Sequence, residues 1–215
     1  MSSSYTSEVF VSKEAPNFEC EAFMPNGEFE TVKLSDYKDK KWVLLFFYPF
    51  NFTFVCPSEI IAFSDSMEEF EKRGVQILGC SVDSKFAHRT WTRLPTSEGG
   101  IGQIKYPLLA DVNKTIAKQF GVLHTDGMAL RGTFIIDKNG VVQTSSINNA
   151  PIGRSVDETL RIVDACQHFE KYGEVCPMNW RKGKRAMNPT PEGVASYLLN
   201  KKVTSENGTE NTVQN

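Results

Sequence analysis

Apolar residues fall in short blocks along the chain, and their spacing switches between the periods of strand and helix. Residues 17–22 and 29–32 flank a Pro25-Asn26-Gly27 turn and predict an N-terminal hairpin. Residues 41–48 are almost continuously apolar, the pattern of a strand buried on both faces. After an aromatic loop, Pro57 suits the first position of a helix, and Ile60, Phe63, Met67 and Phe70 recur at helical spacing up to Gly74. Residues 75–82 predict the next strand, and Asp83-Ser84 can cap a helix through His88 and Trp91. Pro95 with Gly99, Gly100 and Gly102 makes 94–105 a loop, before a short strand at 106–110 and a short helix at 114–120 ended by Gly121. Residues 132–136 and 141–147 form a second hairpin around Asp137-Lys-Asn-Gly140. Residues 156–169 read as an amphipathic helix with Ile162, Cys166 and Phe169 on its buried stripe.

Strands alternating with helices imply an α/β fold built on one sheet, with an antiparallel closing hairpin. From Cys176 the composition shifts to Trp180, a basic Arg181-Lys-Gly-Lys-Arg185 run, an Asn188-Pro-Thr-Pro191 stretch and a short helix through Leu199. The expected organisation is one domain over 1–170, a C-terminal arm over 171–199 and a polar, disordered tail over 200–215. A length of 215 residues suits one domain with an extension, and 40% hydrophobic residues can fill its core. Lys and Arg total 24 against 26 Asp and Glu, so no basic field marks the chain as a nucleic-acid binder. The longest apolar stretch, 42–50, is too short to span a bilayer. Met1-Ser-Ser-Ser-Tyr5 carries neither a basic nor an apolar leader region, so a cytoplasmic protein is expected.

The cysteines are Cys20, Cys56, Cys80, Cys166 and Cys176, an odd number with no pair two residues apart. That spacing builds neither a local dithiol nor a zinc knuckle, and the scattered His88, His124 and His168 add no metal-ligand pattern. No metal or other cofactor is expected. Asn-x-Thr sequons at Asn51, Asn113 and Asn207 are chance matches without secretion. Cys20, Cys80 and Cys166 lie in apolar elements and read as inert packing thiols. Cys56 and Cys176 each precede a proline outside such elements. Cys56 stands where a loop becomes a helix, where unpaired N–H groups and the helix dipole stabilise a thiolate. Thr53 can offer it a hydroxyl, and Pro49, Phe50, Phe52 and Phe54 would wall the site. On the residues alone, a reactive thiol and a capped helix feeding aromatics into the core both stay open.

Tyr48-Pro-Phe-Asn-Phe-Thr-Phe-Val-Cys-Pro-Ser-Glu59 closely resembles the active-site signature of the peroxiredoxins, in the typical two-cysteine, thioredoxin-dependent class. Gly79-Cys-Ser-Val-Asp-Ser84, Gly99-Gly-Ile-Gly102, Leu130-Arg131, Gly153-Arg-Ser-Val-Asp157 and Gly173-Glu-Val-Cys-Pro-Met-Asn-Trp180 are similar to the family in the family's order. The resemblance implies a thioredoxin-like fold and a thiol peroxidase without metal, haem or flavin. It implies that Cys56 attacks peroxide, with Thr53 and Arg131 as donors, Pro49 as shield, and Glu59 and Arg154 orienting the arginine. It implies that Cys176, from the other subunit's arm, resolves the sulfenic acid into an intersubunit disulfide with Cys56, which thioredoxin reduces. It also implies homodimers joined edge to edge through their sheets and assembled into a ring of five.

Asn51 departs from the Asp that the family commonly carries, and is expected to tune the pocket. Tyr197-Leu198 stands where overoxidation-sensitive members have Tyr-Phe, so an intermediate sensitivity is expected. Competing readings are an oligomeric holdase chaperone and a one-cysteine peroxidase resolved by an external thiol. A Cys–His hydrolase is weaker, because Cys56 has no recognisable histidine partner.

Overall fold

The computed structural model describes residues 11–206 of the chain. Two units make it up, dividing after Leu160. In the first, β1 (Glu19–Phe23) and β2 (Phe29–Lys33) form the antiparallel hairpin that the turn predicts, with Gly27 at φ 88°. β3 (Trp42–Phe47) is buried at all six positions, as its unbroken apolar pattern requires. Its alternation sends Phe46 and Phe47 to opposite faces. Phe46 stacks on Phe63 of α1 (Cys56–Asp65) at 4.8 Å, while Phe47 meets Phe120 at 5.6 Å and Phe134 at 5.9 Å.

The helical pattern from Pro57 to Gly74 predicts one helix; the structure makes two. Ser66 leaves helical geometry (φ −89°, ψ 7°) between α1 and α2 (Met67–Glu71). A serine supports such a break because its backbone and hydroxyl have local alternatives to the helix. Met67 and Phe70 stay buried across it. β4 (Val75–Ser81) follows, then α3 (Lys85–Arg93), whose N-cap Ser84 accepts a hydrogen bond from the Ala87 N–H. The predicted strand at 106–110 shrinks to β5 (Leu108–Ala110), since Pro107 has no N–H to donate. After α4 (Thr115–Gln119) come β6 (Arg131–Ile136) and β7 (Val142–Asn148), paired as expected around the Asp137–Gly140 turn. The sheet order is β2-β1-β5-β4-β3-β6-β7, with β3, β4 and β5 parallel and a hairpin at each edge. Gly100 is needed for another reason: a Cβ there would lie 2.0 Å from the Leu94 carbonyl oxygen.

α5 (Val156–Tyr172) begins in the first unit and continues in the second. Its buried positions are Thr159 and Val163, whereas Ile162 and Cys166 are half-buried and Phe169 is 54% exposed. The predicted stripe is therefore out of phase. Hydrophobic spacing passes over Thr159, whose hydroxyl is satisfied by the Ser155 carbonyl at 2.8 Å and so can be buried. In the second unit, Val175 and Met187 exchange two backbone hydrogen bonds, and buried Trp180 donates Nε1–H to the Lys184 carbonyl. α6 (Pro191–Glu206) extends past Leu199 into the stretch expected to be tail, since no glycine or proline stops it there. The rest of that tail, 207–215, lies outside the described residues, as does the leader-region reading of Met1–Tyr5.

A buried polar network crosses the first unit behind the loop that leads into α1. His88 is fully buried, its Nε2 3.1 Å from the Leu109 carbonyl and its Nδ1 3.1 Å from the Asn51 amide nitrogen. Burial pushes its pKa down to about 4. The unfolded chain, with histidine near about 6.5, binds the proton first on acidification, so stability falls as pH drops through this window. We expect a loss of about 2 kcal/mol between about pH 7 and about pH 5, read by urea unfolding. A His88→Gln variant should lose that dependence; an equal loss in the variant would assign it to other groups.

Candidate active site

Cys56 is the first residue of α1, with Val55 as N-cap and Pro57 second rather than first in the helix. A proline in the first turn costs no helical hydrogen bond, so the turn is free to present its backbone N–H groups. The Cys56 side chain is fully buried, and its sulfur has two polar neighbours. The Thr53 hydroxyl lies 3.0 Å from Sγ and 2.8 Å from the Phe50 carbonyl oxygen. One hydroxyl hydrogen serves one acceptor at a time: it goes to Phe50 when the sulfur is a thiol and can turn to the sulfur when it is a thiolate. The second neighbour is Arg131 Nη1, at 3.3 Å.

Arg131 begins β6, and three contacts fix its guanidinium. Nε donates to the Ala150 carbonyl at 2.7 Å, and Nη1 donates to Glu59 Oε2 at 2.7 Å as well as facing the sulfur. Glu59, one turn along α1 from Cys56, is held in turn by Arg154. The Arg154 backbone N–H and Nε donate to Oε1 at 2.9 Å, and Nη2 donates to Oε2 at 2.8 Å. Arg154 Nη1 completes the set on the carbonyls of Phe47 and Gly132, and the guanidinium lies 4.9 Å from the Phe46 ring. Burial pushes the Arg154 pKa down, and the carboxylate of Glu59 opposes the shift. All three side chains are about 95% or more buried. Two guanidiniums and one carboxylate leave a surplus of one positive charge out of water. A thiolate at Cys56 neutralises it, which is the condition under which buried charges are tolerated.

The expected apolar wall is only partly there. Pro49 is buried, but Phe50 and Phe52 are partly exposed and Phe54 is 98% exposed. Between Phe50 and Val55 the loop buries Asn51 alone, and Phe52, in the left-handed region at φ 58°, is half exposed with its ring 5.5 Å from that of buried Trp91. The structure thus brings together Thr53, Cys56, Glu59, Arg131 and Arg154, with Pro49 buried just after β3. Cys176 belongs to the second unit, half-buried, its Sγ 3.6 Å from the Ala165 carbonyl of α5. Burial pushes its thiol up, Arg161 opposing and Glu174 adding to the shift. The other buried thiols are further from reactivity. Burial raises Cys20 to about 12 and Cys80 well above its ordinary range. Sequence reasoning missed His88 and Asp83 as partners of the loop; only their positions around the start of α3, Asp83 just before its N-cap and His88 in its first turn, could have hinted at them.

Among the described residues, no group of three His, Cys, Asp or Glu side chains could hold a metal ion, and no helix is long and apolar enough to cross a membrane. The AhpC/TSA family model matches residues 11–145, and the model of the C-terminal domain of 1-Cys peroxiredoxin matches 165–200. The chain is 57% identical over 189 residues to a chloroplastic 2-Cys peroxiredoxin of Hordeum vulgare, covering 87% of this chain and 90% of that one. It is 50% identical to a thioredoxin peroxidase of Echinococcus granulosus, over 87% of this chain and 97% of that one. The reduced 2-Cys peroxiredoxin of Plasmodium vivax superposes with a TM-score of 0.88 at 54% identity, covering 89% of this chain and 100% of that one. That agreement extends to the thioredoxin-like fold. A family match across most of the chain, with relatives this similar over almost their whole length, means that the chain belongs to the AhpC/TSA family and, within it, to the two-cysteine peroxiredoxins, which are thiol peroxidases.

Proposed function

We propose that the chain reduces hydrogen peroxide and organic hydroperoxides through a cycle that starts at Cys56. The carrying observation is the buried sulfur facing both the Thr53 hydroxyl and Arg131 Nη1. The thiolate attacks the terminal peroxide oxygen, an S–O bond forms, and the O–O bond breaks. The departing oxygen takes a proton and leaves as water or alcohol, and the sulfur is oxidised to sulfenic acid. Negative charge grows on the departing oxygen, and Arg131, already fixed by Ala150 and Glu59, needs no reorganisation to stabilise it. Thr53 donates to the peroxide or the sulfur, and buried Pro49 keeps bulk water from the thiolate. Glu59 and Arg154 act as positioning residues for Arg131.

The second half-reaction is assigned to Cys176 of the other subunit in a homodimer. Its thiolate displaces hydroxide, which leaves as water, from the sulfenic sulfur and forms the disulfide. Thioredoxin then reduces that disulfide by exchange with its own dithiol, the role that the name of the Echinococcus relative suggests. Burial against α5 pushes the Cys176 thiol up, so its attack is helped by release of its segment. Edge-to-edge dimers and a ring of five of them belong to the same proposal. So does cytoplasmic location: several relatives, that of Hordeum vulgare among them, carry chloroplastic names, and imaging a tagged chain in its own cell decides between the compartments.

One observation favours a second reading, in which an external thiol resolves Cys56: the C-terminal model that spans Cys176 is that of 1-Cys peroxiredoxin. Cys176→Ser separates the two. The two-cysteine cycle predicts an undiminished first turnover with peroxide and loss of at least about 95% of thioredoxin-dependent steady-state turnover. Full thioredoxin-dependent turnover in the variant would favour the external thiol.

A further inference from the structure

The loop that carries Thr53 to Cys56 is tied down at one residue. Asn51 is buried while Phe50 and Phe52 on either side are exposed, and every polar group of its backbone N–H and side chain is used. Its N–H donates to Asp83 Oδ2 at 2.8 Å, an oxygen that also accepts from the Ser81 hydroxyl at 2.7 Å. Its Oδ1 accepts from the Tyr48 hydroxyl at 3.0 Å, and its Nδ2 faces His88 Nδ1 at 3.1 Å. His88 Nε2 is opposite a carbonyl, that of Leu109, so Nε2 carries the hydrogen and Nδ1 is the acceptor. The chain of bonds is thus polarised one way, from Tyr48 and Asn51 through a neutral imidazole to β5. We propose that Asn51 is a positioning residue for the peroxidase reaction: its amide clamps the Thr53 loop to Tyr48 and His88 in the peroxide-reactive conformation, and the clamp must open before the disulfide can form.

The inference rests on the peroxidase reading and goes beyond it, because no reacting atom touches Asn51. Two steps with opposite needs pass through the same loop. Attack on peroxide needs Thr53 and Cys56 held in register, whereas resolution needs Cys56, buried in the first turn of α1, to come out. A clamp on the loop favours the first and opposes the second. The amide also makes the clamp insensitive to pH around neutrality. The groups facing His88 are the Tyr48 hydroxyl just after β3, Asn51 from the loop, the nearby Asp83 carboxylate before α3, and the Leu109 carbonyl of β5. With Asn51 none of them requires a protonated imidazole. An aspartate in its place has no hydrogen for Nδ1, so it could bind His88 only as imidazolium, and the clamp would then weaken as pH rises.

The test is stopped-flow tryptophan fluorescence on the reduced full chain mixed with hydrogen peroxide, with Trp91, 5.5 Å from Phe52, as reporter. Wild type, Asn51→Ala and the isosteric Asn51→Asp are compared. In Asn51→Ala, oxidation of Cys56 should slow about tenfold and the following disulfide formation should speed up about tenfold, the scale of one buried hydrogen bond. A merely structural loss does not push the two phases in opposite directions. In Asn51→Asp, the disulfide-forming rate relative to wild type should rise several-fold from about pH 5 to about pH 8; taking the ratio cancels the titration of Cys176. Both phases of Asn51→Ala within about twofold of wild type, or a flat ratio for Asn51→Asp, would overturn the inference while leaving the peroxidase reading standing. A wild type with no peroxide-dependent phase would overturn both.

Discussion

Serine at position 56 should lower the rate constant for peroxide reduction by at least about 10⁴-fold, the largest effect of any single substitution in this chain. A hydroxyl in the same place stays protonated at neutral pH and is a far weaker nucleophile toward oxygen. The surplus positive charge of Arg131, Glu59 and Arg154 would then have no anion beside it. Cys20, Cys80 and Cys176 are poor substitutes. Burial raises the Cys20 thiol to about 12 and the Cys80 thiol well above its ordinary range, and it pushes up that of Cys176, which faces the Ala165 carbonyl. Peroxide consumption by purified Cys56→Ser, beside Cys20→Ala and Cys166→Ser controls that retain activity, measures the effect. Residual activity above about 1% of wild type would place the chemistry at another sulfur.

Arg131→Met is the second large effect, with an expected fall of about 10²–10³-fold in the same rate constant. The substitution removes the donor at the sulfur and the charge that balances a thiolate, yet it leaves Glu59 paired with Arg154 by three hydrogen bonds. The buried carboxylate is therefore not stranded, and the folded state should survive. Arg131→Lys discriminates between charge and shape. Lysine supplies the charge but cannot reach the Ala150 carbonyl, Glu59 and the sulfur at once, as the planar fork does. We expect lysine to recover about one tenth of the lost activity or less, measured by stopped-flow oxidation with hydrogen peroxide. Full rescue by lysine would show that a point charge is enough and that the fork is incidental.

These two effects differ in how they could be read from the chain. Cys56 was visible locally, because a cysteine before proline at a loop-to-helix junction is a thiolate position on elementary grounds. Thr53, three residues away, was visible for the same reason. Arg131 is 75 residues from the sulfur and Arg154 is 95 from Glu59, so no periodicity or spacing connects them. Only the resemblance of Leu130-Arg131 and Gly153-Arg154 to a family placed them in the site, and the sheet then explains their meeting. β6 lies beside β3, so Arg131 starts next to the strand end from which the Cys56 loop departs.

The misreadings share one cause: buried polar residues do not register in a pattern of apolar positions. The apolar pattern points to the phenylalanines as the wall, yet Asn51 is the buried residue of the loop, while Phe50 and Phe52 are partly and Phe54 almost fully exposed. Thr159 shifted the buried stripe of α5 in the same way. His88 reads in the sequence as one more position in a helix, yet its ring joins α3, β5 and the active-site loop. Each of these groups is buried because its hydrogen bonds are met, which depends on partners the sequence does not juxtapose.

The central claim is that peroxide oxidises Cys56 and that Cys176 of a second subunit captures the product. The most direct measurement is non-reducing electrophoresis with peptide mass mapping after one equivalent of hydrogen peroxide, on wild type and Cys176→Ser. The account predicts a wild-type covalent dimer with a Cys56–Cys176 peptide link, absent from the variant. A wild type that stays monomeric with Cys56 as sulfenic acid or as an adduct of an added thiol would contradict it.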